Sequence, residues 1–299
     1  MESKRVCKLL IVIFSVLSLL FYFLYSAEIK KRTVIFDELV FDAVKNLEQR
    51  GITIDESCVE RKTPERDIYF YEAPDINETY KTITSSVCNV MFSSDVVTTE
   101  FDTPDGYSVG IYDKAGSDKE LGRIMFSKNE SSFVFSKSGL SMKNGDEPIE
   151  NMQTEEISDK VTSDIERIVS GLTFGSRLGY KIKGSSSNDT FLIVTVMQTV
   201  DNSDISNAYM NFVFQDEELV ILYANLITGS PKAKYHNTLL DGVNVLYKLN
   251  LDEVKEIQSE EVVYTVKQTD NSNCFIVPCW KIKYFDKNEK LVTAYFDAL

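Results

Sequence analysis

The chain has one histidine, His236, and that limits the chemistry open to it. A Ser-His-Asp or Cys-His site would have to be built around this residue, and no Gly-x-Ser-x-Gly elbow accompanies it. His236 stands in the polar run Ser230 to Asn237, which reads as an exposed loop or a helix start. One histidine also excludes a His-Glu-x-x-His zinc site, and the cysteines lack zinc spacing. No serine is followed three residues later by lysine, so Ser-x-x-Lys acyl transfer has no foothold. Gly175-Ser-Arg-Leu-Gly179 has too few glycines, and no Lys-Ser/Thr end, to cradle a phosphate. A glycosidase needs two carboxylates in different environments. The pairs Glu155-Glu156, Glu217-Glu218 and Glu260-Glu261 instead fall at an apparent helix start, a turn and a strand start, where solvated charge explains them. Asp201-Asn-Ser-Asp204 offers oxygen ligands but lacks the glycine and terminal glutamate of a calcium loop, and reads as a loop. These residues predict no enzyme, no metal and no cofactor.

Cysteine chemistry is the remaining option. Of the five cysteines, the four beyond the N-terminal apolar run, Cys58, Cys88, Cys274 and Cys279, are an even set that allows three disulfide pairings, and buried thiols are the alternative. Cys274 and Cys279, five apart on one apparent strand, point to opposite faces and cannot bond to each other. Asn77-Glu-Thr, Asn129-Glu-Ser and Asn188-Asp-Thr match the glycosylation acceptor pattern, a weak signal in an Asn- and Ser-rich chain.

Nineteen uncharged residues from Leu9 to Ala27 dominate the N-terminal region. As a helix they approach the thickness of a bilayer's hydrocarbon core, with Phe21, Tyr22, Phe23 and Tyr25 near one interface. A cleaved signal would need small residues before the cut, and Leu24 or Tyr25 would stand at −3. The run therefore predicts an uncleaved transmembrane anchor. Lys4, Arg5 and Lys8 before it nearly balance Lys30, Lys31 and Arg32 after it, so orientation rests on the short N-terminal tail staying inside. The expected location is the cell membrane, crossed once, with the bulk of the chain extracytoplasmic. Residues 33–299 hold 26 Lys/Arg against 44 Asp/Glu, a net of −18, which repels polyanions and excludes nucleic acid as a partner.

Beyond the anchor, Val34, Ile35, Leu39, Val40, Val44 and Leu47 recur at helical spacing up to a stop at Gly51. Strands are expected at Asp67 to Glu72, Tyr107 to Tyr112, Gly122 to Phe126 and Ser132 to Ser136, with a helix over Ile76 to Met91 and a turn at Pro104-Asp105-Gly106. Residues 137–154, broken by Gly139, Gly145 and Pro148, read as a linker. Ile157, Val161, Ile165, Ile168, Val169 and Leu172 mark one face of a helix ended by Gly171 and Gly175. Strands follow over Leu178 to Lys183 and Thr190 to Val200, with a hairpin from Tyr209 to Leu226 turning at Asp216-Glu217-Glu218. A helix over Leu239 to Tyr247 then precedes strands Glu261 to Lys267, Phe275 to Phe285 and Leu291 to Phe296. In the alternation of Trp280 to Tyr284, Trp280, Ile282 and Tyr284 face a core. The expected fold class is α+β: an N-terminal transmembrane helix followed by repeated helix-plus-antiparallel-sheet modules. The expected division is 1–32 (tail and anchor), 33–150 (juxtamembrane helix and first β-rich region), 151–232 (second α+β module) and 233–299 (C-terminal α+β module).

Two stretches carry a family likeness. One is Phe36-Asp-Glu-Leu-Val with Asn46-Leu-Glu-Gln-Arg-Gly-Ile-Thr-Ile-Asp55. The other comprises helix Leu239 to Leu249, strand Val262 to Thr269, Ile276-Val-Pro-Cys-Trp-Lys-Ile and Val292-Thr-Ala-Tyr-Phe. They resemble the YycI/YycH group of Gram-positive bacteria, with Thr293 where that group usually has asparagine. The resemblance implies a non-enzymatic accessory regulator of a sensor histidine kinase in a two-component system governing cell-wall metabolism. The partners implied are the membrane, the kinase, and a paralogous regulator or a second copy. Ser15 and Ser18, with Phe21 and Tyr22, are then the expected kinase contacts in the span. The alternative is an extracytoplasmic module that binds peptide or cell-wall ligands or inhibits a peptidase.

Overall fold

The computed structural model describes residues 2–60, 64–72, 76–92, 95–103, 106–114, 119–127, 132–138, 140, 157–172, 178–187, 190–268 and 273–299. Side chains are placed in these except at 2–13, 28–36, 76–77, 230 and 268. Several expected features therefore fall outside the described residues: most of the 137–154 linker, Pro104-Asp105, Glu155-Glu156, Gly175 to Arg177, and the side chains of Asn77, Asn129, Asn188, Val34 and Ile35.

The elements run α1 (Glu2–Gln49), β1 (Thr53–Ile54), β2 (Glu65–Glu72), α2 (Ile76–Met91), β3 (Val96–Thr103), β4 (Gly106–Asp113), β5 (Glu120–Ser127), β6 (Ser132–Lys137) and α3 (Asp159–Gly171). They continue as β7 (Leu178–Ser187), β8 (Leu192–Val200), β9 (Ser203–Gln215), β10 (Glu218–Asn225), β11 (Ser230–Thr238), α4 (Gly242–Leu246), β12 (Val254–Gln268), β13 (Cys274–Asp286) and β14 (Leu291–Asp297).

This corrects the expected fold class. The protein is mostly a large mixed β-sheet, with more residues in strands than in helices, and not a series of helix-plus-antiparallel-sheet modules behind a transmembrane helix. The modules dissolve because β12 joins β9 in parallel, Tyr264 opposite Ile205, and β1 also runs parallel to β12. Among the described residues no helix is long and apolar enough to cross a membrane.

The chain divides into two compact units. One comprises residues 1–65, 238–262 and 280–299. In it α1 buries Val40, Ala43, Val44 and Leu47 in a core with Leu246, Ile257, Trp280 and Ile282, while Leu39 stays exposed. The helix ends as expected at Gly51, whose φ of +80° suits glycine. Ile52 N–H bonds Leu47 O at 3.0 Å and Gly51 N–H bonds Glu48 O at 2.9 Å, a Schellman end in which Leu47 and Ile52 share the core. Trp280 is fully buried and donates its indole N–H to Leu240 O at 3.1 Å, which offsets the cost of burying it.

The other unit comprises residues 66–237 and 263–279. Hydrogen-bonded neighbours run β11, β2, β13, β12, β9, β10, β6, β5, β4 and β3, with β8 on β9 and β7 on β8. Two-residue turns with positive φ at Asp201-Asn202 and Asp216-Glu217 close the β8–β9 and β9–β10 hairpins, matching the twist of the strands they join. Helices α2 and α3 press Tyr80, Ile83, Val87, Val161, Ile165 and Ile168 onto one sheet face, against Val109, Ile124, Phe135 and Phe212. Ser158 caps α3, accepting from Val161 N–H at 3.4 Å.

Candidate functional site

An open cavity of about 600 Å³ lies between α2 and strands β3 and β4 of the second unit. Helical spacing explains its helical wall. Tyr80, Ile83 and Val87 bury one stripe of α2, and the adjoining stripe of Lys81, Thr84, Ser85, Cys88 and Asn89 faces the cavity. The opposite wall is Val96, Thr98 and Glu100 of β3 with Tyr107 and Val109 of β4. Tyr80 closes one side, stacked on Tyr107 with ring centres 4.9 Å apart.

Two interactions fix the polar groups here. Tyr107 donates its hydroxyl to the Glu100 carboxylate, and burial followed by that bond holds the phenol above its ordinary value. Burial alone pushes the Cys88 thiol up to about 11, so it stays protonated at neutral pH and is a poor nucleophile. The remaining lining offers hydroxyls, one amide and one ammonium group. This set can exchange hydrogen bonds with an extended polar chain and hold an amphipathic one. On the other face of β3, Arg123 lies 5.8 Å over the Phe101 ring, held by a two-point pair with Glu120 at 2.8 and 2.6 Å.

A second polar cluster in the same unit gathers residues that stood apart in the sequence. Asp67 pairs with Lys234 and approaches His236 Nδ1 at 3.1 Å. Tyr69, fully buried, donates its hydroxyl to Asp201. The Lys234 hydrogen bond, with a smaller contribution from His236, holds the Asp67 carboxyl below the usual range. Burial, then the Asp201 bond, pushes the Tyr69 phenol up. His236 therefore belongs to strand β11, not to a loop or helix start, and Asp201 and Asp204 are engaged by Tyr69 and Lys183.

The sequence-predicted residues fall elsewhere. Ser15, Ser18, Phe21 and Tyr22 lie on α1 in the first unit, with Phe21 66% and Tyr22 65% exposed. Cys58, Cys88, Cys274 and Cys279 all keep their thiols. Cys274 and Cys279 are buried on β13, and Cys58 donates to Gln258 O at 3.2 Å. Only Cys88 lines the cavity. Sequence reasoning missed β3 altogether, although its Val-Val-Thr-Thr run carried a strand signal. It also passed over Glu260 as solvated charge. In the first unit the Glu260 carboxylate packs against Gly242, where a Cβ would lie 2.6 Å from Oε2, and burial pushes its pKa up to about 7.

The second unit defines a class, a β-sheet covered on one face by helices and, among the described residues, open along β3. No protein-family model matches the chain, and no curated protein matches its sequence. An uncharacterized protein from Eubacterium rectale resembles it with a TM-score of 0.50 over 78% of this chain and 83% of that one, at 8% identity. The Bacillus megaterium YpeB C-terminal domain resembles it with a TM-score of 0.35 at 13% identity, over 73% of this chain and 92% of that one. The first likeness is one of fold alone.

Proposed function

We propose that the chain is a non-enzymatic accessory regulator that acts by protein–protein contacts on the extracytoplasmic side of the cell membrane, with a sensor histidine kinase as its partner. The observation that supports contact with a polypeptide is the α2–β3 cavity, open along a sheet edge and lined by hydroxyls, an amide and aromatic rings. The kinase rests on the likeness of the Phe36 to Asp55 and Leu239 to Phe296 stretches to the YycI/YycH group. A net charge of −14 favours cationic partner surfaces over polyanions.

Crosslinking in intact cells followed by co-purification tests the proposal. Recovery of a histidine kinase, lost when Thr84→Trp fills the cavity, supports it. Recovery of wall fragments or a secreted peptidase in its place moves the function to an extracytoplasmic binding or inhibitory module.

A further inference from the structure

Strand β3 ends the sheet, and among the described residues no strand pairs with its outer side. Its hydrogen-bonding phase follows from one contact. Asp95 O accepts from Lys114 N–H at 2.8 Å, in line with the register that sets Val97 opposite Tyr112, Thr99 opposite Gly110 and Phe101 opposite Ser108. Bonded and non-bonded pairs alternate along an antiparallel ladder. Asp95, Val97, Thr99 and Phe101 therefore direct their backbone groups to β4, while Val96, Thr98, Glu100 and Asp102 direct theirs outward. Val96, Thr98 and Glu100 are also the β3 residues whose side chains line the cavity. A strand added at this edge would thus bond to the residues that wall the cavity, and its alternate side chains would enter over α2.

Charge selects the occupant. Glu100 and Asp102 stand in the outward row with no base among them, and Asp95 precedes them. Lys81 is the cationic side chain of the cavity lining. A second copy pairing through β3 would bring these carboxylates toward their own kind, which destabilises cross-strand pairs. We propose that β3 accepts, by strand addition, an extended basic segment of a partner polypeptide whose alternate side chains occupy the α2–β3 cavity. The inference deepens the protein-contact reading of that cavity and rests on it.

The test uses the full chain and two synthetic nine-residue peptides, one alternating lysine with valine and one alternating glutamate with valine, titrated by fluorescence anisotropy. The lysine peptide should bind at least roughly tenfold more tightly. Thr98→Pro removes an outward N–H without breaking a β4 bond, and should weaken the lysine peptide by about tenfold or more. Should that variant not fold, Glu100→Lys/Asp102→Lys should reverse the preference toward the glutamate peptide. Equal binding of the two peptides, or undiminished binding by a folded Thr98→Pro chain, overturns the proposal. So does a dimer in sedimentation that Thr98→Pro dissolves, since a second copy would then be the occupant. If the lysine peptide fails while crosslinking and co-purification still recover a kinase that Thr84→Trp loses, strand addition falls and the regulatory reading stands.

Discussion

Ser86 donates its hydroxyl to the carbonyl oxygen of Gly171 at 3.0 Å, joining the helix that walls the cavity to α3. A Cβ on Gly171 would lie 2.5 Å from Ser86 Oγ and 2.9 Å from Ser86 Cβ, so the approach of the two helices depends on glycine. Both helices bury their apolar stripes in one core, and the position of α2 over β3 follows from this junction.

Gly171→Ala should therefore destabilise the chain by about 1–3 kcal/mol through overpacking. Ser86→Ala alone should cost nearer ~1 kcal/mol, the net worth of one hydrogen bond. The double variant should be more stable than Gly171→Ala, because it removes the oxygen the new methyl would meet. Urea midpoints of the three variants check this.

Gln198 is fully buried and bonds both backbone groups of Ile227, accepting from its N–H at 2.8 Å and donating to its carbonyl at 3.2 Å. Gln198→Leu keeps the volume but leaves two buried backbone groups without that amide. A loss of about 2–4 kcal/mol is expected in thermal or denaturant unfolding.

Glu260 makes stability depend on pH. Burial raises its carboxyl to about 7 from an ordinary 4.5, and the Glu60 N–H at 3.2 Å opposes the shift. Asp241 and Glu60, the charged neighbours, push the same way as burial. Between those two values the folded chain holds a proton that the unfolded chain has released. The associated stability is complete below the ordinary value and is lost as pH rises through about 7. Glu260→Gln should thus exceed the parent by roughly 1–3 kcal/mol at pH 8 and lie close to it at pH 4. Paired unfolding curves at the two pH values measure the difference.

Cys88 should alkylate slowly. With its thiol pushed up to about 11, the thiolate at pH 8 falls by roughly a hundredfold relative to an ordinary cysteine. Iodoacetamide labelling followed by peptide mapping should show Cys88 modified far later in the folded chain than in the urea-unfolded one.

How much of this was legible follows from which residues carry a burial period. The stripes Tyr80, Ile83, Val87 and Val161, Ile165, Ile168 announce α2 and α3, and Gly51 announces the end of α1. Alternation at Trp280 and Ile282 marks β13. Strand β3 left only the propensity mark of its Val-Val-Thr-Thr run, because every residue from Val97 to Thr103 is exposed and no apolar period exists to read. Strand β11, with Pro231, Lys232 and Lys234, looks like a loop for the reason that edge strands are polar. The modular reading failed at the parallel contacts, Tyr264 with Ile205 and β1 with β12, since strand neighbours far apart in sequence leave no local mark. The cavity was missed for the same reason: its walls are α2 and β4, both expected, with the unread β3 between them and solvent, and only Cys88 among its lining residues had drawn notice as a chemical group.

The central claim is that the α2–β3 cavity is where this protein meets a polypeptide partner. A photo-crosslinking residue at Thr84, with a control at Tyr223 on β10, tests it in intact cells by mass spectrometry of the adducts. The account predicts histidine-kinase peptides rich in lysine and arginine captured from Thr84, absent from Tyr223, and lost in a folded Thr98→Pro background. Equal capture from both positions, or capture from Thr84 that Thr98→Pro leaves unchanged, would contradict it.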